Sequence, residues 1–401
     1  MLLTVYYIAE KYVIWTNGIS YNHAILTIGA GATDHCDGGF LGATMSNFQK
    51  LGAIDIFKNK RKWETIKINQ SQDANCLLGR GWTFQERELS TRMICFAPNY
   101  TQWECRQGRL CYSSTSRLKP RWFHARNHAN RCLDLTTRGT NSLDIQASRS
   151  LSSWHGAICE FSRRSLTNPR DKLAAIAGLA SAMQPWIQCE FFAGHWIGKL
   201  QADLMWFRHG PKLHPTFTEY YGPSWSWTST NFPVQFLSDY DNPYIRGRIT
   251  TGSDIIARKL PGENETAEIL EMNLNSSGIF PLPDSFVRLK SAIRSLNDPG
   301  APDMHILLDD SDGNEFPVYS GSVLKKDFEM QVADDKIEWI QQLIICILTQ
   351  NTRAPNKLAG LVLQSFLNDQ SGVPGYRRVG VAFDVPDDWV TDVEFQEIVI
   401  I

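Results

Sequence analysis

The sequence lacks a charge imbalance, a membrane-length apolar run and a paired cysteine pattern, and each absence removes a class of function. Its 401 residues hold 40 Lys and Arg against 42 Asp and Glu, a formal charge of −2. A chain so near neutrality has no general attraction for phosphate backbones or anionic lipid, so no nucleic-acid partner is expected. The longest purely apolar stretch near the C-terminus, Leu343 to Leu348, falls far short of the roughly 20 residues that cross a bilayer. The opening MLLTVYYIAEKYVIW carries Glu10 and Lys11 and shows neither a basic leader nor a small-residue cleavage site, so it does not read as a secretory signal. Nine cysteines, an odd number scattered without tight pairing, suit reduced and mostly buried thiols. The expectation is a cytoplasmic protein with no membrane span, in which the N-x-S/T tripeptides at Asn69, Asn99, Asn264 and Asn275 are coincidental.

What is present suits packed cores. Apolar residues make up 43% of the chain, with 28 Gly and 18 Pro, and the length suggests about two or three domains. Thirteen tryptophans are many, and most fall between Trp82 and Trp227, so the densest aromatic packing is expected mid-chain. Ala24 to Ile28, ended by Gly29-Ala-Gly31, reads as a buried strand and turn; Met93 to Phe96 reads as a second strand. Between them, Arg80 to Leu89 reads as a helix with Trp82, Gln85, Glu86 and Leu89 along one side. Residues 113–150 have the Ser, Thr, Arg and Asn content of a linker.

Two helices are expected next. One carries Trp154, Ile158 and Phe161; the other carries Leu173, Ile176, Ala180 and Met183 behind an Asn168 N-cap, Pro169 and Asp171. A third is expected from about His195, with Trp196, Leu200, Leu204 and Phe207 at helical spacing, stopping at Gly210-Pro211. Beyond Pro233, short β-type runs at Tyr244–Thr250, Met304–Leu308, Leu343–Leu348, Gly360–Leu363, Arg378–Phe383 and Glu397–Ile401 indicate a mainly β module.

Several motifs invite chemistry and are better read as structure. Cys105, Cys111, His124 and His128 nearly copy a zinc-finger spacing, but the first gap is too long. Thr115 and Arg121 stand where a finger needs apolar residues, so the metal-free reading is preferred. Gly29-x-Gly31 resembles a dinucleotide turn until Asp34 takes the third glycine position. Gly222-Pro-Ser224-Trp-Ser226 lacks the closing glycine of a nucleophile elbow, which makes Ser224 structural. Glu86 is the open case. Beside Trp82 and Gln85 it could edge a pocket in which a ring stacks a ligand and the carboxylate stabilises an oxocarbenium-like state. With Arg80 and Arg87 nearby, a helix-face ion pair is the reading that spacing alone favours.

These residues also carry a family resemblance. Gly79-Arg-Gly-Trp-Thr-Phe-Gln-Glu-Arg-Glu-Leu-Ser90, followed by Phe96 and Trp103-Glu-Cys105, resembles the signature of the fungal heterokaryon incompatibility (HET) domain. Tyr21 to Ile28 and Asp37-Gly-Gly-Phe40 are similar to an upstream family segment. Trp154 to Leu173, Ala193-Gly-His-Trp196 and Pro223-Ser-Trp-Ser-Trp227 are similar to the region that follows the domain in many members. The resemblance implies a fungal protein of self/non-self recognition and the cell death that follows, working with protein partners. It further implies a TIR-like α/β fold, and with it NAD as a conceivable substrate rather than a resident cofactor. Glu86 would be the catalytic carboxylate, with Arg80, Trp82 and Gln85 as binding neighbours.

The family's two leading strands have no counterpart before Tyr21, so an N-terminally truncated member is expected, with an exposed sheet edge where partners are missing. The expected architecture is an incomplete α/β, TIR-like remnant over 1–110 and a linker over 111–150. A Trp-rich helical segment over 151–235 and a β-rich region over 236–401 complete it.

Overall fold

The computed structural model describes residues 2–5, 24–31, 52–58, 61–68, 77–97, 100–105, 108–112, 121–123, 143–209, 220–236, 255–256, 267–277, 280–296, 301–302, 304–308, 343–351, 357–366 and 375–401. They form two units, one of residues 1–139 with 164–185 and one of residues 140–163 with 186–401. The content is mixed α and β, with strands dominating the C-terminal part. The described helices are α1 (Gly81–Leu89), α2 (Leu143–Phe161), α3 (Ala174–Ile187) and the single turn α4 (Leu200–Asp203). No described helix is long and apolar enough to cross a membrane.

The first unit is built on a six-stranded sheet, whose strands are β1 (Leu2–Val5), β2 (Leu26–Ala30), β5 (Arg92–Phe96), β6 (Thr101–Cys105), β7 (Gly108–Tyr112) and β8 (Arg121–Phe123), in that spatial order. A separate hairpin pairs β3 (Gly52–Lys58) with β4 (Arg61–Ile68). Strands β2 and β5 run parallel, from Thr27 opposite Met93 to Ala30 opposite Phe96. Parallel neighbours need a crossover, and α1 lies within it. The expected strand–helix–strand order is thus present. One expectation is corrected: β2 is not an edge, because β1 pairs antiparallel on its other side from Leu2–Gly29 to Val5–Leu26 and supplies the missing hydrogen bonds.

Helix α3 begins as the sequence indicates. The Asn168 side chain accepts the Arg170 N–H at 3.1 Å, Pro169 opens a 3-10 turn, and Leu173, Ile176, Ala180 and Met183 are buried. The segment expected as linker holds β8 and the start of α2. The apolar face of α2, with Leu151, Trp154, Ile158 and Phe161 buried at steps of three and four, extends past Trp154 toward the N-terminus.

In the second unit the expected helix from His195 to Phe207 does not form. Short strands β9 (Phe191–Phe192) and β10 (His195–Trp196) make a hairpin. A 3-10 turn and α4 follow, and Phe207 lies in β11 (Trp206–Arg208), paired with β12 (Val234–Phe236). The cause is the two-residue loop. Ala193 and Gly194 sit at φ 49° and 90°, the left-handed pair that matches hairpin twist and stops a helix.

The main sheet joins β13 (Ile255–Ile256), β14 (Ala267–Asn273), β17 (Phe286–Ser295), β18 (His305–Leu308), β19 (Leu343–Asn351), β20 (Lys357–Phe366), β21 (Gly375–Pro386) and β22 (Phe395–Ile400). A small hairpin of β15 (Ser276–Ser277) and β16 (Phe280–Pro281) stands apart. The sheet is buried on both faces. Along β19, Cys346 and Leu348 join a core with Leu200, Leu204, Phe207 and Trp225. Leu343, Ile345 and Ile347 join the opposite core with Met304, Trp389 and Val390. Two buried faces explain why this strand reads as an unbroken apolar run. The run expected at Tyr244–Thr250 lies outside the described residues.

Candidate functional site

Helix α1 begins under an unusually close contact. Gly81 N–H donates to the Ser165 carbonyl at 2.8 Å and Ser165 N–H to the Gly79 carbonyl at 2.7 Å. A Cβ on Gly81 would fall 2.5 Å from the Leu166 side chain, so the glycine is there for the approach. The Thr83 hydroxyl turns back to the Leu77 and Arg80 carbonyls, and Phe84 lies fully buried under the Arg164 guanidinium, 4.7 Å from its ring centre. At the far end the Ser90 hydroxyl bonds the Glu86 carbonyl at 2.6 Å and the Thr27 hydroxyl of β2 at 2.7 Å. Both helix ends are thereby fixed.

The four residues singled out from the sequence separate on this helix. Gln85 is buried, 4% exposed, and its Oε1 accepts the Gly178 N–H of α3 at 2.6 Å. Trp82 is 38% exposed, Arg80 is exposed and Glu86 is half-buried. The buried side of the helix is instead Gly81, Phe84, Gln85, Glu88 and Leu89, offset from the stripe read by spacing.

The next residue makes a two-point ionic contact. Arg87 Nε donates to Glu104 Oε2 at 2.8 Å and Arg87 Nη2 to Oε1 at 2.7 Å, with the two side chains 15% and 18% exposed. Gln102 donates to the same carboxylate. A two-pronged, largely desolvated guanidinium–carboxylate fork fixes orientation as well as distance. Beside it is a small cleft lined by Leu77, Thr83, Arg87, Met93, Gln102 and Glu104 among others, with room for on the order of one water molecule. Arg80, Trp82, Gln85 and Glu86 are not among its lining residues.

The second unit gathers a different set. Asp203 of α4 is wholly buried. Its Oδ1 lies 2.6 Å from His155 Nε2 of α2, and its Oδ2 accepts the Trp196 N–H of β10 at 2.6 Å. His195 Nδ1 stands 3.8 Å from Oδ2, beyond hydrogen-bond reach, and neither of its ring nitrogens has a hydrogen-bond partner among the described residues. Burial alone would raise the Asp203 pKa, but the His155 hydrogen bond and the charges of the two histidines outweigh it and hold the carboxyl below its usual range. For His195 burial wins and lowers the pKa against the pull of Asp203.

Aromatic rings close round this cluster. His155 stacks on Phe236 with ring centres 3.9 Å apart, and Trp196 meets Trp154 edge-on at 5.4 Å. The β9–β10 loop is tied from the other side: the Ser226 hydroxyl donates to the Ala193 carbonyl at 2.6 Å and the Trp227 indole N–H to the Gly194 carbonyl at 2.9 Å. Five tryptophans, Trp154, Trp196, Trp206, Trp225 and Trp227, are fully buried here, as the mid-chain enrichment led one to expect. Ser224 is structural too, its hydroxyl engaged by the Ile401 carbonyl and the Arg378 N–H.

Gly29 lies inside β2 rather than at a phosphate-binding turn. Cys105 and Cys111 sit on neighbouring strands, while His124 and His128 lie outside the described residues, among which no metal-binding group of three appears. Compared with known protein families, curated proteins and solved structures, the chain matches none. Sequence reading missed Glu104 as the partner of Arg87, though it lies within the Trp-Glu-Cys motif. It also missed the His155–Asp203 pair, whose members are 48 positions apart with no local signal.

Proposed function

We propose that this chain is a HET-type protein of fungal self/non-self recognition, acting in the associated cell death through interaction surfaces. The observation that carries the reading is the Arg87–Glu104 fork. It joins the two separated pieces of the resemblance, Arg80 to Ser90 and Trp103 to Cys105, into one contact. Other residues of the first piece serve the same end, with Gln85 bonding α3 and Ser90 bonding β2. On this reading the signature holds a small parallel strand–helix–strand element of TIR-like type in shape, and leaves Arg80 and Trp82 outward as contact residues.

An NAD-cleaving role would require Glu86 to border a ligand-sized cavity. The cleft beside α1 is lined by other residues and is far smaller than a nucleotide. Expression in fungal hyphae tests the choice. Wild-type chain is expected to arrest growth and the Glu86→Ala chain to arrest it equally, with cellular NAD unchanged in both. NAD loss abolished by Glu86→Ala would overturn the interaction reading.

A further inference from the structure

We propose that the Asp203 cluster is an acid-sensitive latch: on acidification a proton taken up by buried His195 draws Asp203 Oδ2 off the Trp196 N–H and releases the β9–β10 hairpin.

The geometry supplies each part. In the neutral fold Oδ2 has one short partner, the Trp196 N–H at 2.6 Å, and a second candidate donor, His195 Nδ1, waiting at 3.8 Å. Oδ1 is committed to His155. A proton on His195 makes Nδ1 a charged donor 3.8 Å from Oδ2, and closing that gap to hydrogen-bond length pulls Oδ2 from its place on the Trp196 N–H. Covalent bonds are untouched; one proton enters from solvent and one hydrogen bond is exchanged. What loosens is specific, because Trp196 and Phe191 of the hairpin pack against Trp154 at 5.4 and 5.2 Å.

The charged and titratable groups facing His195 are Asp203 from α4, His155 from α2 and Arg378 from β21, with Trp225 against the ring at 5.7 Å. Burial opposes the proton most and Arg378 and His155 oppose it too, whereas Asp203 favours it, so the folded pKa lies below the ordinary histidine value. The unfolded or opened form therefore binds the proton first, as solution pH falls through about 6.5. Stability rises with pH in this window and is lost on acidification, with the loss complete once the folded value is passed. One proton allows at most about a tenfold shift per pH unit.

Amide hydrogen exchange on the full chain between pH 7.5 and 5, corrected for the pH dependence of intrinsic exchange, reads the latch directly. The Trp196 amide is expected to lose protection by up to about tenfold per unit below about pH 6.5, while the Val381 amide in the sheet core holds. In His195→Phe the Trp196 slope should vanish, and His195→Gln keeps the test open should the phenylalanine variant fail to fold. A slope that persists in either folded variant, a flat wild-type profile, or equal loss at Val381 overturns the proposal.

Discussion

Replacing Asp203 tests the second unit's core most severely, because the side chain serves two buried donors at once. Asp203→Ala leaves the Trp196 N–H and the His155 Nε2–H without acceptors. Each stranded donor costs about 1–3 kcal/mol, so the two together cost about 2–6 kcal/mol less whatever relaxation recovers. Asp203→Asn should cost less, about 1–2 kcal/mol. Its oxygen can keep the Trp196 N–H while its amide donates to His155, provided that ring moves its proton to Nδ1. Urea unfolding followed by tryptophan fluorescence reports the loss, since Trp154, Trp196, Trp206, Trp225 and Trp227 are all buried in this unit.

The pH dependence fixes the sign. The folded Asp203 pKa is depressed, because the His155 hydrogen bond and the charges of both histidines outweigh desolvation. The charge's contribution is thus full above the unfolded value of about 3.9 and lost as pH falls through the folded one. The gap between wild type and Asp203→Ala should shrink there. If alanine and asparagine cost the same, or both cost under about 0.5 kcal/mol, the two-donor account is wrong.

Two further substitutions follow from local geometry. Gly194→Ala places a Cβ 2.5 Å from Trp227 Nε1 on a residue at φ 90°; left-handed strain of about 1–2 kcal/mol and overpacking of about 1–3 kcal/mol predict a loss of about 2–5 kcal/mol in urea unfolding. Trp82→Ala should leave stability within about 0.5 kcal/mol, since the ring is 38% exposed. On the proposed interaction role, growth arrest on expression in hyphae should nonetheless weaken, and an unaltered arrest would argue against Trp82 as a contact residue.

Where local sequence rules suffice, the structure was legible. Asn168 and Pro169 announced the α3 start through a cap that spans only two residues, and Leu343 to Leu348 announced a buried strand because alternate side chains feed two cores. Helical spacing from His195 to Phe207 misled, because the same apolar interval fits a hairpin followed by one helical turn. Ala193 and Gly194 decide between them through positive φ. The stripe on α1 was offset for a related reason: Gly81 presses the helix start against Ser165 and Leu166, which turns Phe84 and Glu88 inward and Trp82 outward. Partners distant in sequence, Arg87 with Glu104 and His155 with Asp203, arise from tertiary pairing that no periodicity encodes.

On the proposed function the Arg87–Glu104 pair locks α1 to β6, and a charge swap measures that directly. Growth arrest in hyphae should be lost in Arg87→Glu, where two carboxylates meet, and restored at least in part when Glu104→Arg is added to re-form the pair in reverse. Arrest that survives Arg87→Glu in a folded chain, or that the double substitution fails to restore although the chain folds, would contradict it.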